Sequence, residues 1–93
     1  MEIAGQGDPL AGVNQVKASG DTIRLHGDDN VVIALADLAA GSIVEGVPVP
    51  LPQMISRGHK IATRDVAEGE NIIRYGQIIG QAKAAISTGE HVH

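Results

Sequence analysis

In Asp65-Val66-Ala67-Glu68-Gly69-Glu70-Asn71-Ile72, a glycine stands three residues after one apolar side chain and three before another. Glycine takes a left-handed backbone at little cost, so Gly69 can end a tight turn and release the chain into a strand at Ile72. Asp65 is of the right type to cap a single helical turn before that glycine. The spacing recurs as Leu38-Ala39-Ala40-Gly41-Ser42-Ile43-Val44, with Asp37 in front, and as Ile86-Ser87-Thr88-Gly89-Glu90-His91-Val92. Three copies of one strand–turn–strand device predict a mostly β chain of short strands, tight Gly turns and single helical turns. The device carries no chemistry of its own.

Composition agrees. Eleven Ile and nine Val stand against five Leu, and β-branched side chains suit pleated surfaces better than helices. Short strands are expected at 22–26, 31–35, 58–63, 71–75, 77–83 and 90–93, with Gly27-Asp28-Asp29-Asn30 a turn and Gly76 breaking a hairpin. Pro48, Pro50 and Pro52 alternate through a segment that cannot donate the hydrogen bonds of a central strand, so it reads as a loop or an edge. Residues 1–20, with four Gly and one Pro, read as a flexible lead or linker, which leaves 21–93 as one small domain.

Several function classes are excluded. No cysteine means no disulfide framework and no thiolate metal site. A net charge of −4 with one Tyr and no Phe or Trp argues against nucleic acid, which needs a basic surface and stacking platforms. No apolar run reaches membrane-spanning length and no signal segment opens the chain, so no membrane partner is expected and the cytosol is the default compartment. No P-loop, G-x-G-x-x-G or G-x-S-x-G motif is present.

What remains is histidine. His91 and His93 are two apart, so a strand would point both imidazoles to one face, as metal ligands often stand. His26 precedes the oxygen-rich turn at 27–30, which suits a divalent cation; the bland alternative is an Asx-turn with His26 incidental. His59 follows Gly58, which would let a ligand approach the backbone, and Lys60 or Arg57 beside it can bind a carboxylate or phosphate.

Four ordered motifs then add up to a resemblance. They are Arg24-Leu25-His26-Gly27-Asp28-Asp29-Asn30-Val31, Gly58-His59-Lys60-Ile61-Ala62, Ile73-Arg74-Tyr75-Gly76-Gln77-Ile78-Ile79-Gly80 and Gly89-Glu90-His91-Val92-His93. Over about 22–93 the chain resembles the small SAF domain of the altronate and galactarate dehydratase family, a β-rich module of β-clip type. The resemblance implies a hydro-lyase that removes water next to a sugar-acid carboxylate to give a 2-keto-3-deoxy acid, supported by Fe(II) or Mn(II). It also implies a large catalytic subunit or C-terminal domain as partner, since sulfolactate sulfo-lyases of the same kind use a separate small subunit. The chain would then be a small subunit or an N-terminal domain, inactive alone. Under this resemblance His59 is the candidate proton shuttle, His26, His91 and His93 are candidate metal ligands, and Lys60 and Arg24 are candidates for the substrate carboxylate. The alternative is a non-catalytic SAF module that binds a carboxylated sugar or a protein partner. A third possibility is an assembly scaffold, docking through the apolar stretch around 47–54 or forming a homodimer by edge-strand pairing.

Overall fold

The computed structural model describes residues 17–19 and 21–93. The proposed flexible lead therefore lies outside the described residues, except for Lys17–Ser19. Seven strands appear among the described residues: β1 (Lys17–Ser19), β2 (Thr22–Arg24), β3 (Val31–Ala34), β4 (Lys60–Ala62), β5 (Asn71–Arg74), β6 (Gln77–Gln81) and β7 (His91–Val92). The sheet thus takes in Lys17–Ser19, ahead of the expected start at Asp21. Strands β1-β2-β3-β4-β7 form an antiparallel sheet, and β5 and β6 form a separate hairpin. No helix long and apolar enough to cross a membrane is found among the described residues.

The mostly β expectation holds, but the single helical turns are β-turns. In the Gly69 copy, Glu70 N–H donates to Ala67 O at 3.0 Å and Gly69 has φ +84°. A left-handed third residue defines a type II turn, which a helical residue cannot supply. The same turn recurs at residues 39–42 and 87–90, and a fourth copy stands at residues 56–59, where His59 N–H donates to Ser56 O at 3.1 Å and Gly58 has φ +87°. Asp37 and Asp65 do cap turns, but not their own. Asp37 Oδ1 accepts the Arg57 N–H at 2.9 Å, and Asp65 Oδ1 accepts the Thr88 N–H at 2.8 Å and the Thr88 hydroxyl at 2.7 Å.

These pairings show an internal duplication. Leu38 and Ile55 form a two-way backbone bridge in the first unit, as Val66 and Ile86 do in the second. Gly58 N–H donates to Ala34 O in the first, and Gly89 N–H to Ala62 O in the second, both at 2.8 Å. Each unit has its own apolar core. Ala34, Leu38, Val44, Leu51, Ile55 and Ile61 in one correspond to Ala62, Val66, Ile72, Ala82, Ile86 and Val92 in the other. A fully buried Ile or Val contributes about 1.5–3 kcal/mol, so two small cores sharing β4 hold the fold.

The proline segment is a loop, as expected. Leu51 is buried there, its N–H donating to Ser42 O at 3.0 Å, while Pro52 and Val49 pack against Gly89. The hairpin turns at Tyr75 and Gly76, with φ 56° and 72°, the left-handed pair of a type I′ turn.

Candidate functional site

The register of the sheet builds the site. Ile61 lies opposite His91 in the β4–β7 pair. His59 is two residues before Ile61 and His93 two after His91, so strand alternation sends all three imidazoles to one face. His59 Nδ1 lies 2.8 Å from His91 Nε2, a hydrogen bond in which one ring donates and the other accepts. The His59 and His91 ring centroids are 4.7 Å apart, and those of His91 and His93 are 4.5 Å apart.

The turn explains why the His59 side chain is available. At the equivalent place in the other three turns, the side chain closes its own turn. Ser42 Oγ donates to Ala39 O at 2.6 Å, Glu70 Oε1 accepts the Ala67 N–H at 2.9 Å, and Glu90 Oε1 accepts the Ser87 N–H at 2.7 Å. In the copy at residues 56–59 this side chain turns to another strand. Gly58 serves the backbone sign here, since a Cβ at that position would meet nothing within 4 Å.

Electrostatics keep the middle ring neutral. Burial pushes the His91 imidazole below its ordinary value, and the neighbouring charges of His93, His59 and Lys60 push the same way. A neutral imidazole hydrogen-bonded to an exposed one can pass a proton along the pair. Lys60, half-buried at the start of β4, places its charge within reach of the cluster.

His26 and Arg24 belong to a different locality. His59 O accepts the Ala34 N–H at the C-terminal end of β3, whereas His26 lies in the turn leading to its N-terminal end. The His26 ring packs on Gly76, and its Nδ1 accepts the Asp28 N–H at 3.0 Å. Arg24 donates to Asp29 O at 2.8 Å and to His26 O at 3.4 Å, so it pins that turn. The Asx-turn alternative is replaced by long-range contacts. Buried Asp29 accepts the Tyr75 and Gly76 N–H groups, each at 2.8 Å, and Asn30 takes the Ile73 N–H and donates to Asn71 O, each at 2.9 Å. A type I′ hairpin tip leaves these amide donors to be satisfied, and the acidic turn reaches across to do so.

Sequence reasoning did not identify Asp29 and Asn30 as clamps, although an unpaired Asp-Asn ahead of a buried strand was a usable signal. It also passed over the fourth repeat, Ile55-Ser56-Arg57-Gly58-His59-Lys60-Ile61, whose spacing matches the other three.

The donor chemistry fits Fe(II) or Mn(II) in part. Neutral imidazole suits either ion. However, among the described residues no three His, Asp or Glu side chains converge into a metal-holding group. With His91 Nε2 and His59 Nδ1 committed to each other, the ring nitrogens of the cluster outside that contact are His59 Nε2, His91 Nδ1 and those of His93. An ion held there needs further ligands from outside the described residues.

Comparison with known proteins extends the picture. The family model for the altronate/galactarate dehydratase SAF domain matches residues 20–93. Altronate dehydratase of Escherichia coli (strain K12) is 51% identical over 73 residues, covering 76% of this chain and 15% of that enzyme. Galactarate dehydratase (L-threo-forming) of the same organism is 40% identical over 73 residues, 75% of this chain and 14% of that enzyme. The alpha subunit of (2R)-sulfolactate sulfo-lyase from Chromohalobacter salexigens is 36% identical over 75 residues, 71% of this chain and 80% of that subunit. The chain therefore spans about 15% of the length of the dehydratases it matches.

Proposed function

The chain belongs to the SAF-domain family of the altronate/galactarate dehydratases, and from that premise we propose that it is the small part of a cytosolic hydro-lyase acting on sugar acids. The reaction removes the proton α to the carboxylate and the hydroxyl β to it as water, and the resulting enol becomes a 2-keto-3-deoxy acid. The observation that carries this reading is the 2.8 Å contact between His59 and His91, in a turn whose last side chain reaches another strand and does not close its own loop. Exposed His59 exchanges the proton with substrate or solvent, and neutral His91 holds the His59 ring in place through their hydrogen bond. Lys60 is the proposed partner of the substrate carboxylate. We assign Arg24 and His26 no part in this set, since their contacts serve the turn before β3.

The proposed site is shared with a large part of the same enzyme. His91 and His93 would hold Fe(II) or Mn(II) together with donors of that part. The ion, when bound, supplies Lewis acidity for the departing hydroxyl. Separate small subunits are supported by the sulfo-lyase relative, whose alpha subunit is mostly this one module.

The test is an assay of the chain together with its large part for 2-keto acid formation from a panel of aldonates and aldarates, with Fe(II) or Mn(II). Activity is expected from the assembly and not from the chain alone. Binding of a carboxylated sugar by the chain, with no turnover in the assembly, would favour the non-catalytic module instead.

A further inference from the structure

The internal duplication predicts a strand that the described chain does not supply. In the first unit, Ala34 is bracketed by the turn at residues 56–59: its N–H donates to His59 O and its carbonyl accepts from Gly58. In the second, Ala62 is bracketed in the same way by the turn at residues 87–90, through Glu90 O and Gly89 N–H. Gly58-His59-Lys60-Ile61-Ala62 and Gly89-Glu90-His91-Val92-His93 align residue by residue, so His93 is third in the series Ala34, Ala62, His93. No turn brackets it among the described residues. Likewise β4 has β3 on one edge and β7 on the other, while among the described residues β7 is paired only with β4.

The side-chain surface repeats too. In the first unit, Gly89 sits so closely on the proline segment that a Cβ there would lie 3.1 Å from Pro52 Cδ and 3.3 Å from Val49 Cγ2. The corresponding surface of the second unit is open. It is a groove of about 570 Å³ whose walls include Ile72, Ala82, Lys83, Ala84, Ile86 and Val92. Lys83 and Ala84 correspond there to Pro52 and Gln53, which the Gly89 turn and the His91 N–H of β7 approach in the first unit. These mostly apolar walls suit the side chains of a packed peptide segment, and the groove runs on to Glu90, His91 and His93, which also line it.

We propose that this groove and the free edge of β7 receive an extended segment of the enzyme's large part, as a further strand followed by a glycine turn. The proposal rests on the shared-site reading above. The occupant is indicated by two observations: the Gly89 turn and β7, which pack on the proline segment and pair with β4 at the equivalent place in the first unit, and the dehydratase relatives, of which this module is about 15%. Backbone hydrogen bonds to His93 would supply affinity and the apolar walls specificity, the usual division in strand addition. Docking there would bring the large part beside His91 and His93, where the metal set lacks donors.

The test uses the assembled enzyme, with the photo-reactive residue benzoylphenylalanine in place of Ala84. Cross-links to a glycine-containing segment of the large part are expected. Hydrogen exchange of the assembled enzyme should show the His93 amide protected at least tenfold. Ala84→Arg should abolish that protection, while Ile43→Arg, at a site exposed away from the groove, should leave it unchanged. An active assembly that cross-links only elsewhere, or in which Ala84→Arg leaves the protection intact, overturns the docking site and leaves the shared-site reading standing. An assembly that forms no 2-keto acid from any sugar acid, yet still cross-links at position 84, overturns the functional reading and leaves the docking site standing.

Discussion

Gly58 and Gly89 hold the same place in two copies of one turn, yet replacing them should not cost the same. At Gly58 a Cβ would meet nothing, so Gly58→Ala pays only for the left-handed backbone, about 1–2 kcal/mol. At Gly89 the new methyl also runs into Pro52, whose ring cannot swing aside, and overpacking adds about 1–3 kcal/mol. Chemical denaturation of the two variants should show Gly89→Ala as clearly the less stable; equal losses would contradict the packing of the proline segment on that turn. The His91 ring gives a second prediction at this scale. Its pKa is depressed by burial and by its cationic neighbours, so folding favours the neutral ring. The contribution to stability is then fully present above about pH 6.5, the value in an unfolded chain, and is lost as pH falls through the lower folded value. Followed by NMR in the metal-free chain, His91 should titrate with a midpoint below 6.5; a midpoint above it would contradict the account.

Among elements, the β5–β6 hairpin is held chiefly by what reaches it from the turn before β3. Its second strand is exposed throughout, and its own core contribution is Ile72. The anchor is the Asp29 carboxylate on the two tip amides, supported by Asn30. Asp29→Ala leaves those donors unsatisfied and should destabilise the protein by about 1–3 kcal/mol, with fast hydrogen exchange at Tyr75 and Gly76 as the local signature. Unchanged exchange there would show that the tip is held by other means. The repeated turns add an acid-sensitive term. Hydrogen bonds from Thr88 hold the Asp65 carboxyl below the usual range, and Arg64 and the Ala67 amide do the same for Glu70. Both groups stabilise the fold above about pH 4, and that help fades as pH falls further. Each strand in this part of the chain was legible in the sequence, because turn glycines and β-branched runs are local signals. The partners of Asp29, Asn30, Asp37 and Asp65 were not. They lie 20 or more residues away, and nothing in the local spacing says which amide a carboxylate will reach.

For the whole molecule, the duplication decides what was readable. Three of four repeats were visible, yet a helical turn was the natural expectation. Asp-x-x-x-Gly fits a capped helix as well as a type II turn, and the left-handed glycine inside a turn closed by the next N–H separates the two. The pairing of those units brings His59 to His91 across the sheet. Sequence spacing alone joined His91 to His93; the family resemblance grouped His59 and His26 with them, and the structure brings in His59 but sets the His26 ring against the hairpin tip. The same arrangement implies that the two cores are not independent. Ile61 of the first unit and Ala62 of the second are neighbours on β4, both with no exposed surface. Ile61→Ala should therefore cost about 2–5 kcal/mol and lower stability in one cooperative transition; two separable transitions would show that the units fold apart.

The most direct test of the shared-site account is kcat for His59→Ala in the assembled enzyme, measured on the best sugar-acid substrate with Mn(II) present. A positioned acid–base group is worth about 10²–10⁴ in rate. The account predicts a loss of at least about 100-fold, with assembly and thermal stability unchanged. An assembled His59→Ala enzyme that keeps its full kcat would contradict it.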